Sequence, residues 1–397
     1  MTRVLLLTAF VLTGLALNGS AQQPSSPTVP DTGAAATRPA ATGPAATGPA
    51  ASQPAGTAQE ALNAMRLQMQ LPSDARPEEI LTRLRGVVAV LEKMEQDFPK
   101  APQLHDARVR GFLSAVQLAR RTKDPAMAAK AEQIGQRIIA SNAPQENKVM
   151  TAAHLALLKL QPVGGAAATI PAEEAAKIIR DFVSRYGKDA EQGPDALAIA
   201  IKMADGVEQF ALSDELLAQL VKDFPDSAQA RSMTFWTGKP FKITLTRLDG
   251  AKLSLPDDLL GKVVVVDFWA TWCGPAIVEL PKLKKTYGKY RDKGVEFVGI
   301  SLDRDKGVLE DFVKSQGIGW IQTFSGKATD PAAEQFQVES IPRQFVVGKD
   351  GRIITDGARG KLEWELDKAV GASARGPQSP VRATGDSRPA TAPAAGK

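Results

Sequence analysis

The chain changes its hydrophobic rhythm twice. From about residue 58 to 232 apolar residues recur at helical spacing, as in LTRLRGVVAVLEKM (81–94) and EEAAKIIRDFVSRY (173–186). Turns follow apolar helix ends at Phe98-Pro99, Asn142-Ala143-Pro144, Tyr186-Gly187 and Phe224-Pro225, at spacings of 44, 44 and 38 residues. This rhythm predicts an all-α region of helix pairs. They form either a stacked array of helical repeats or an irregular bundle.

After residue 232 the period shifts. FKITLTRL (241–248) alternates like a strand, and Asp249-Gly250 is a hairpin turn signal. KVVVVDFWA (262–270) and VEFVGISL (295–302) are continuous apolar runs, as in strands buried on both faces. A helix is predicted between them from about Pro275 to Lys293. A second helix over 305–317 and a strand over 319–324 follow. A hairpin over 343–354 turns at Lys349-Asp350-Gly351, and a closing helix spans 362–370. The pattern predicts an α/β sandwich with a mixed sheet, preceded by the all-α region.

The ends of the chain read differently. Arg3 precedes an apolar run from Val4 to Leu17, and Gly19-Ser20-Ala21 supplies small residues suited to cleavage. Residues 1–21 thus read as a signal peptide, too short to span a bilayer comfortably. Of the 36 residues in 22–57, 30 are Ala, Gly, Pro, Ser or Thr, with AATGP repeated at 40–44 and 45–49, so this segment reads as a disordered linker. The tail 371–397 reads the same way. The expected divisions are therefore 1–21, 22–57, 58–232, 233–370 and 371–397. The leader points to export into a periplasm or cell envelope, with membrane attachment only where the leader is uncleaved.

The net charge of +5 lies mostly in the leader and in the tail, where Arg375, Arg382, Arg388 and Lys397 stand against Asp386. The remainder is nearly neutral, which offers no basic surface for nucleic acid. His105 and His154 have no second ligand at metal-like spacing, so no metal and no cofactor is expected. The cysteine count is more informative. Cys273 is the only one, so the chain can form no internal disulfide even in an oxidising compartment. In isolation such a cysteine is most often a small buried hydrophobe. Here it stands in WATWCGPAIVELP, where a buried strand turns into a helix. The unpaired N–H groups and dipole of a helix start favour a thiolate and lower a thiol's pKa. Pro275 suits the first helical turn, and Pro281 would bend the helix.

VVVVDFWATWCGPAIVELPKL, VEFVGISLD and VESIPRQFVV together resemble the thioredoxin superfamily, and more narrowly the exported thiol-disulfide oxidoreductases of the TlpA/ResA type. The resemblance covers about 235–370. It rests on Trp272-Cys273-Gly274-Pro275, on Asp267 in the preceding strand, on Pro281, and on Ile341-Pro342 before the hairpin. The extra helix and strand at 305–324 set the TlpA branch apart. The resemblance implies a thioredoxin-like domain with Cys273, Trp272, Gly274, Pro275 and Asp267 at the reacting centre. Trp272 would lean over the thiol, and a cis Pro342 would face it. Ile341, Pro342 and Arg343 would contact substrate.

Ala276 departs from the pattern. It stands where the family has the second, resolving cysteine, which the buried acid matching Asp267 helps to deprotonate. The role of Asp267 is thereby left open. Arg343 also departs, because a small hydroxyl residue is usual there. Its guanidinium either reaches the cysteine or points to solvent. Glu279 reads as a helix-surface charge, and Lys282, Lys284, Lys285, Lys289, Arg291 and Lys293 read as a solvated helix face.

Three functions fit these residues. One is a monothiol oxidoreductase or isomerase that forms mixed disulfides with cysteine-containing envelope or secreted proteins and is resolved by an external thiol reductant. Another is a non-catalytic binding or adaptor module whose helical domain engages a protein partner. The third is a degenerate fold kept as a structural piece. The sequence does not distinguish a natural alanine at 276 from an engineered trap.

Overall fold

The computed structural model describes residues 56–70, 75–162, 170–327 and 330–372, which separate after Ala230 into two compact units. The expected leader, all of the linker but Gly56 and Thr57, and the tail beyond Ala372 lie outside the described residues.

The first unit is helical: α1 (Ala58–Gln68), α2 (Pro77–Asp97), α3 (Leu104–Thr122), α4 (Pro125–Ala140), α5 (Gln145–Leu160), α6 (Ala172–Tyr186), α7 (Gly193–Gly206) and α8 (Phe210–Asp223). Local chemistry sets several starts. Thr57 accepts from the Glu60 N–H and Asp124 from the Ala126 N–H, while Pro77 and Pro125 occupy first-turn positions. Each helix packs on the next, and the odd-numbered helices α1, α3, α5 and α7 also touch in series. Polar contacts between these alternate helices fall at a steady offset. Gln103 donates to Gln59, 44 residues away, Arg66 to Asp106, 40 away, and Asn147 meets His105, 42 away. That offset tracks the 44-residue spacing of the first turns. The core is mostly aliphatic, with Met65, Leu91, Leu118 and Ile134 fully buried beside Phe112. Helices α2 and α3 approach closely at Gly111, where a Cβ would come within 2.4 Å of Leu91 Cδ2.

A short helix, α9 (Ala228–Thr234), leads into the second unit. There β1 (Ile243–Thr246) and β2 (Lys252–Leu255) form an antiparallel hairpin, shorter than the sequence alternation suggested. The elements that follow are β3 (Val263–Trp269), α10 (Gly274–Tyr290), β4 (Val295–Ser301), α11 (Lys306–Ser315), β5 (Ile321–Phe324), α12 (Pro331–Gln335), β6 (Arg343–Val347), β7 (Ile353–Thr355) and α13 (Leu362–Ala372). The closing helix therefore runs two residues further than expected. The sheet order is β5-β4-β3-β6-β7, parallel through β5, β4 and β3 and antiparallel at β6 and β7. The C-terminal unit is thus an α/β sandwich with a mixed sheet.

Strand β3 is buried along its whole length, as its valine run requires. Alternation divides its residues between two cores. Val263, Val265 and Trp269 pack under α10, α11 and α13 together with Cys273 and Ala276. Val264, Val266 and Phe268 pack on the opposite face with Leu245, Leu253 and Ala332. Asp267 is in phase with the first set, so its carboxyl lies on the α10 side.

Candidate functional site

Cys273 sits at the N-cap of α10, with extended backbone and no side-chain cap of its own. The chain reaches it from the C-terminal end of β3, the buried central strand, and leaves it into a helix whose first-turn proline is Pro275. This junction points the unpaired N–H groups of the first turn toward the sulfur's surroundings. The Cys273 Sγ donates to the Ile341 carbonyl at 3.6 Å, a separation suited to a sulfur donor. The Ile341–Pro342 peptide is cis. A second cis peptide, Leu255–Pro256, joins β2 to the following turn and had no sequence signal beyond the proline itself.

The structure brings Cys273, Ala276, Ile341 and Pro342 together and separates the remaining expected residues by role. Cys273 is only 7% exposed and belongs to the core under α10, as does Ala276. Trp272 is 66% exposed. Trp269 and Ala270 belong to the same core as the cysteine, while Thr271 is half-buried and Trp272 is exposed. Gly274 is exposed, and a Cβ there would meet nothing within 4 Å, so no steric demand fixes a glycine at that position. Pro281 lies inside α10 on its exposed side.

Arg343 is exposed, as in the solvent-facing one of the two expected courses. Its guanidinium pairs with Asp356 and lies 6.0 Å from the Phe345 ring centroid. Its acid partner comes from the segment after β7. The side chain is 45% exposed, so the ion pair is a weak contributor to stability.

Asp267 has the most altered chemistry. It is buried, its Oδ1 has no hydrogen-bond partner among the described residues, and a Gln344 side-chain hydrogen bond reaches the carboxyl. Burial pushes its pKa up from 3.8 to about 7. The Gln344 hydrogen bond opposes that rise, the charge of Glu279 adds to it, and Arg359 opposes it. Glu279 is therefore more than a surface charge. It accepts two hydrogen bonds from Arg359, at 2.8 Å from Nε and 2.6 Å from Nη2, and its field reaches the buried acid.

Strand register explains the grouping. Gln322, Gly299, Asp267 and Gln344 are direct neighbours across β5, β4, β3 and β6, forming one polar row through an apolar sheet. The Gln322 side chain covers the place a side chain at 299 would fill, since a Cβ there would lie 2.3 Å from its Oε1. Gln344 and Gln322 were detectable in sequence as polar residues inside short strand runs. The Arg359–Glu279 pair, 80 residues apart, left no local signal. Among the described residues, no three of His, Cys, Asp and Glu converge to hold a metal ion, and no helix is long and apolar enough to cross a membrane.

Known proteins match part of this chain. Residues 237–355 match the model of the AhpC/TSA family. The chain is similar to the thiol-disulfide oxidoreductase ResA of Bacillus cereus, 34% identical over 110 residues, covering 28% of this chain and 62% of that protein. It is also similar to the sporulation thiol-disulfide oxidoreductase A of Bacillus subtilis, 25% identical over 141 residues, covering 35% of this chain and 82% of that protein. Among solved structures, the thioredoxin domain of a thiol-disulfide oxidoreductase from Bacteroides vulgatus is 31% identical, with 34% of this chain and 97% of that chain covered and a TM-score of 0.32. The chain spans about three fifths of the length of the ResA proteins it matches. The C-terminal unit is a thioredoxin-like domain that matches the AhpC/TSA family model over 237–355, with ResA-like thiol-disulfide oxidoreductases among its relatives.

Proposed function

We propose that the C-terminal unit performs thiol–disulfide exchange through Cys273 alone. The observation that carries this reading is the placement of its sulfur, at a helix start and 3.6 Å from the carbonyl of a cis Ile341–Pro342 peptide. The Cys273 thiolate attacks one sulfur of a substrate disulfide. A Cys273–substrate disulfide forms, the substrate S–S bond breaks, and the other substrate sulfur leaves as a thiolate that takes a proton from solvent. Ala276 supplies no second thiol in the place where the related motif has its resolving cysteine. An external thiolate, or a different cysteine thiolate of the same substrate, then attacks the substrate sulfur of the mixed disulfide and releases Cys273 as a thiolate. Attack by the different substrate cysteine forms a new substrate disulfide, which is isomerisation with no net oxidation. Net reduction of the substrate requires an external thiol, and net oxidation requires an external disulfide.

The leader-like segment favours export to a periplasm or cell envelope, with cysteine-containing proteins there as substrates and a thiol reductant as resolver. The serial contacts of the odd-numbered helices favour a role for the first unit in holding a protein partner. The test is recovery of a scrambled multi-disulfide protein in a thiol-containing buffer. The intact chain is expected to speed recovery and Cys273→Ser is not. Equal rates for the two would overturn the reading.

The burial of Cys273 supports a second reading, an adaptor that binds extended polypeptide beside Pro342 without exchange. In that case a thiol-free peptide binds equally well to the intact chain and to Cys273→Ser, and the folded protein leaves disulfides untouched.

A further inference from the structure

The geometry points to Asp303 as the residue that positions the Cys273 loop, through a clamp supplied by the end of β4 and by the added α11–β5 segment. This inference rests on the reading of Cys273 as the attacking thiol. Asp303 lies two residues past β4 and is buried. One of its carboxylate oxygens accepts from the Thr271 hydroxyl at 2.6 Å. The other accepts from the Thr271 N–H at 3.0 Å and from the Ser301 hydroxyl at 2.7 Å. A buried carboxylate bound by three donors is fixed in place, and hydrogen bonds to a charged acceptor are the stronger kind. Its hold falls on Thr271, two residues before the thiol.

The added segment grips the preceding turn of chain. Gln322 of β5 accepts from the Trp269 indole N–H at 3.0 Å, and Phe312 of α11 packs against the same indole at 5.8 Å between centroids. The backbone joins in, since the Leu302 N–H donates to the Trp269 carbonyl at 2.9 Å. Residues 269 and 271 are thus both tied to the β4–α11–β5 side of the sheet. Trp272, between these ties and the helix, is exposed. The added helix and strand therefore give the thiol loop its rigidity, a requirement for aligned attack on a disulfide.

Asp303→Asn keeps the shape and removes one acceptor oxygen. With a small aromatic disulfide as probe, its second-order rate at Cys273 is expected to fall about tenfold, as loss of alignment demands. Removing a negative charge near an anionic sulfur would by itself speed that reaction, so the fall reports position rather than charge. Thr271→Val, which removes the hydroxyl donor, is expected to slow the reaction in the same direction. The double variant is expected to be no slower than Asp303→Asn alone, because the two groups act as one unit. Mere destabilisation would move the urea midpoint and leave the rate of the folded protein unchanged. An unchanged rate in folded Asp303→Asn, or single effects that multiply in the double variant, overturns the proposal. Should Cys273 of the intact chain fail to react at all, the exchange reading falls instead. The clamp then stands or falls on amide exchange over 269–273, expected to quicken in Asp303→Asn and Thr271→Val and refuted if it does not.

Discussion

Asp267→Asn isolates the cost of an acid buried in the sheet. Burial raises the folded-state pKa from 3.8 to about 7. The unfolded chain loses this proton near 3.8 and the folded chain holds it to about 7. Stability attached to the protonated acid is therefore complete below 3.8 and is lost as pH rises through about 7. A pKa difference of one between the folded and unfolded chain corresponds to about 1.4 kcal/mol, so the full loss is about 4 kcal/mol. By about pH 5 roughly 1.7 kcal/mol has already gone, which leaves about 2.5 kcal/mol to be lost by about pH 8. Asparagine carries no such proton. The stability of Asp267→Asn relative to the parent is expected to grow by about 2–3 kcal/mol between those two pH values, whatever its starting offset.

The assay is urea unfolding followed by tryptophan fluorescence. All five tryptophans (236, 269, 272, 320 and 364) lie in the C-terminal unit, so the signal excludes the helical one. Taking the difference between variants at each pH cancels the other carboxylates, which titrate in both proteins. A difference that stays within about 0.5 kcal/mol across the range, or grows toward low pH, would refute the buried-acid reasoning.

Other substitutions probe the surroundings of the thiol. Gly299→Ala puts a Cβ 2.3 Å from Gln322 Oε1, so the Gln322–Trp269 hydrogen bond must shift. The expected destabilisation of the C-terminal unit is about 1–3 kcal/mol by urea unfolding. Arg343→Ala breaks a half-exposed ion pair with Asp356, and the urea midpoint is expected to move by less than about 1 kcal/mol equivalent. The reaction of Cys273 with an uncharged disulfide should be unaltered in that variant, because the guanidinium is engaged elsewhere. Ala276→Cys places a second thiol three residues after Cys273, on the same helix face. That variant is expected to reduce disulfides catalytically with an external reductant, releasing product without an added resolving thiol. An inert but folded Ala276→Cys would show that the groove no longer supports exchange.

Much of the C-terminal unit was legible because its signals are local. An unbroken valine run demands a strand covered on both faces, and β3 is buried throughout. The strand-to-helix turn at Cys273 and the proline at 342 are short-range features of the same kind. The site's electrostatics were less legible. Asp303 looks like any acid after a strand until the fold brings Thr271 to it, 32 residues away. Glu279 looks like one more helix charge until Arg359 and Asp267 converge on it. The exposure of Trp272 was not legible, because it depends on where the loop turns, which neighbouring residues do not encode. In the helical unit the turn spacing was legible. The polar contacts at an offset near 42 residues emerged only from the packing.

Everything proposed for the thiol depends on Cys273, though almost fully covered, attacking disulfides in the folded protein. Incubating the native chain with excess small aromatic disulfide and following the mass of the intact protein reads that reaction directly. The expected result is a single adduct at Cys273, formed at least as fast as on a free cysteine in the same buffer, and its removal when an external thiol is added. An adduct that appears only after denaturation, with none on the folded chain, would contradict it.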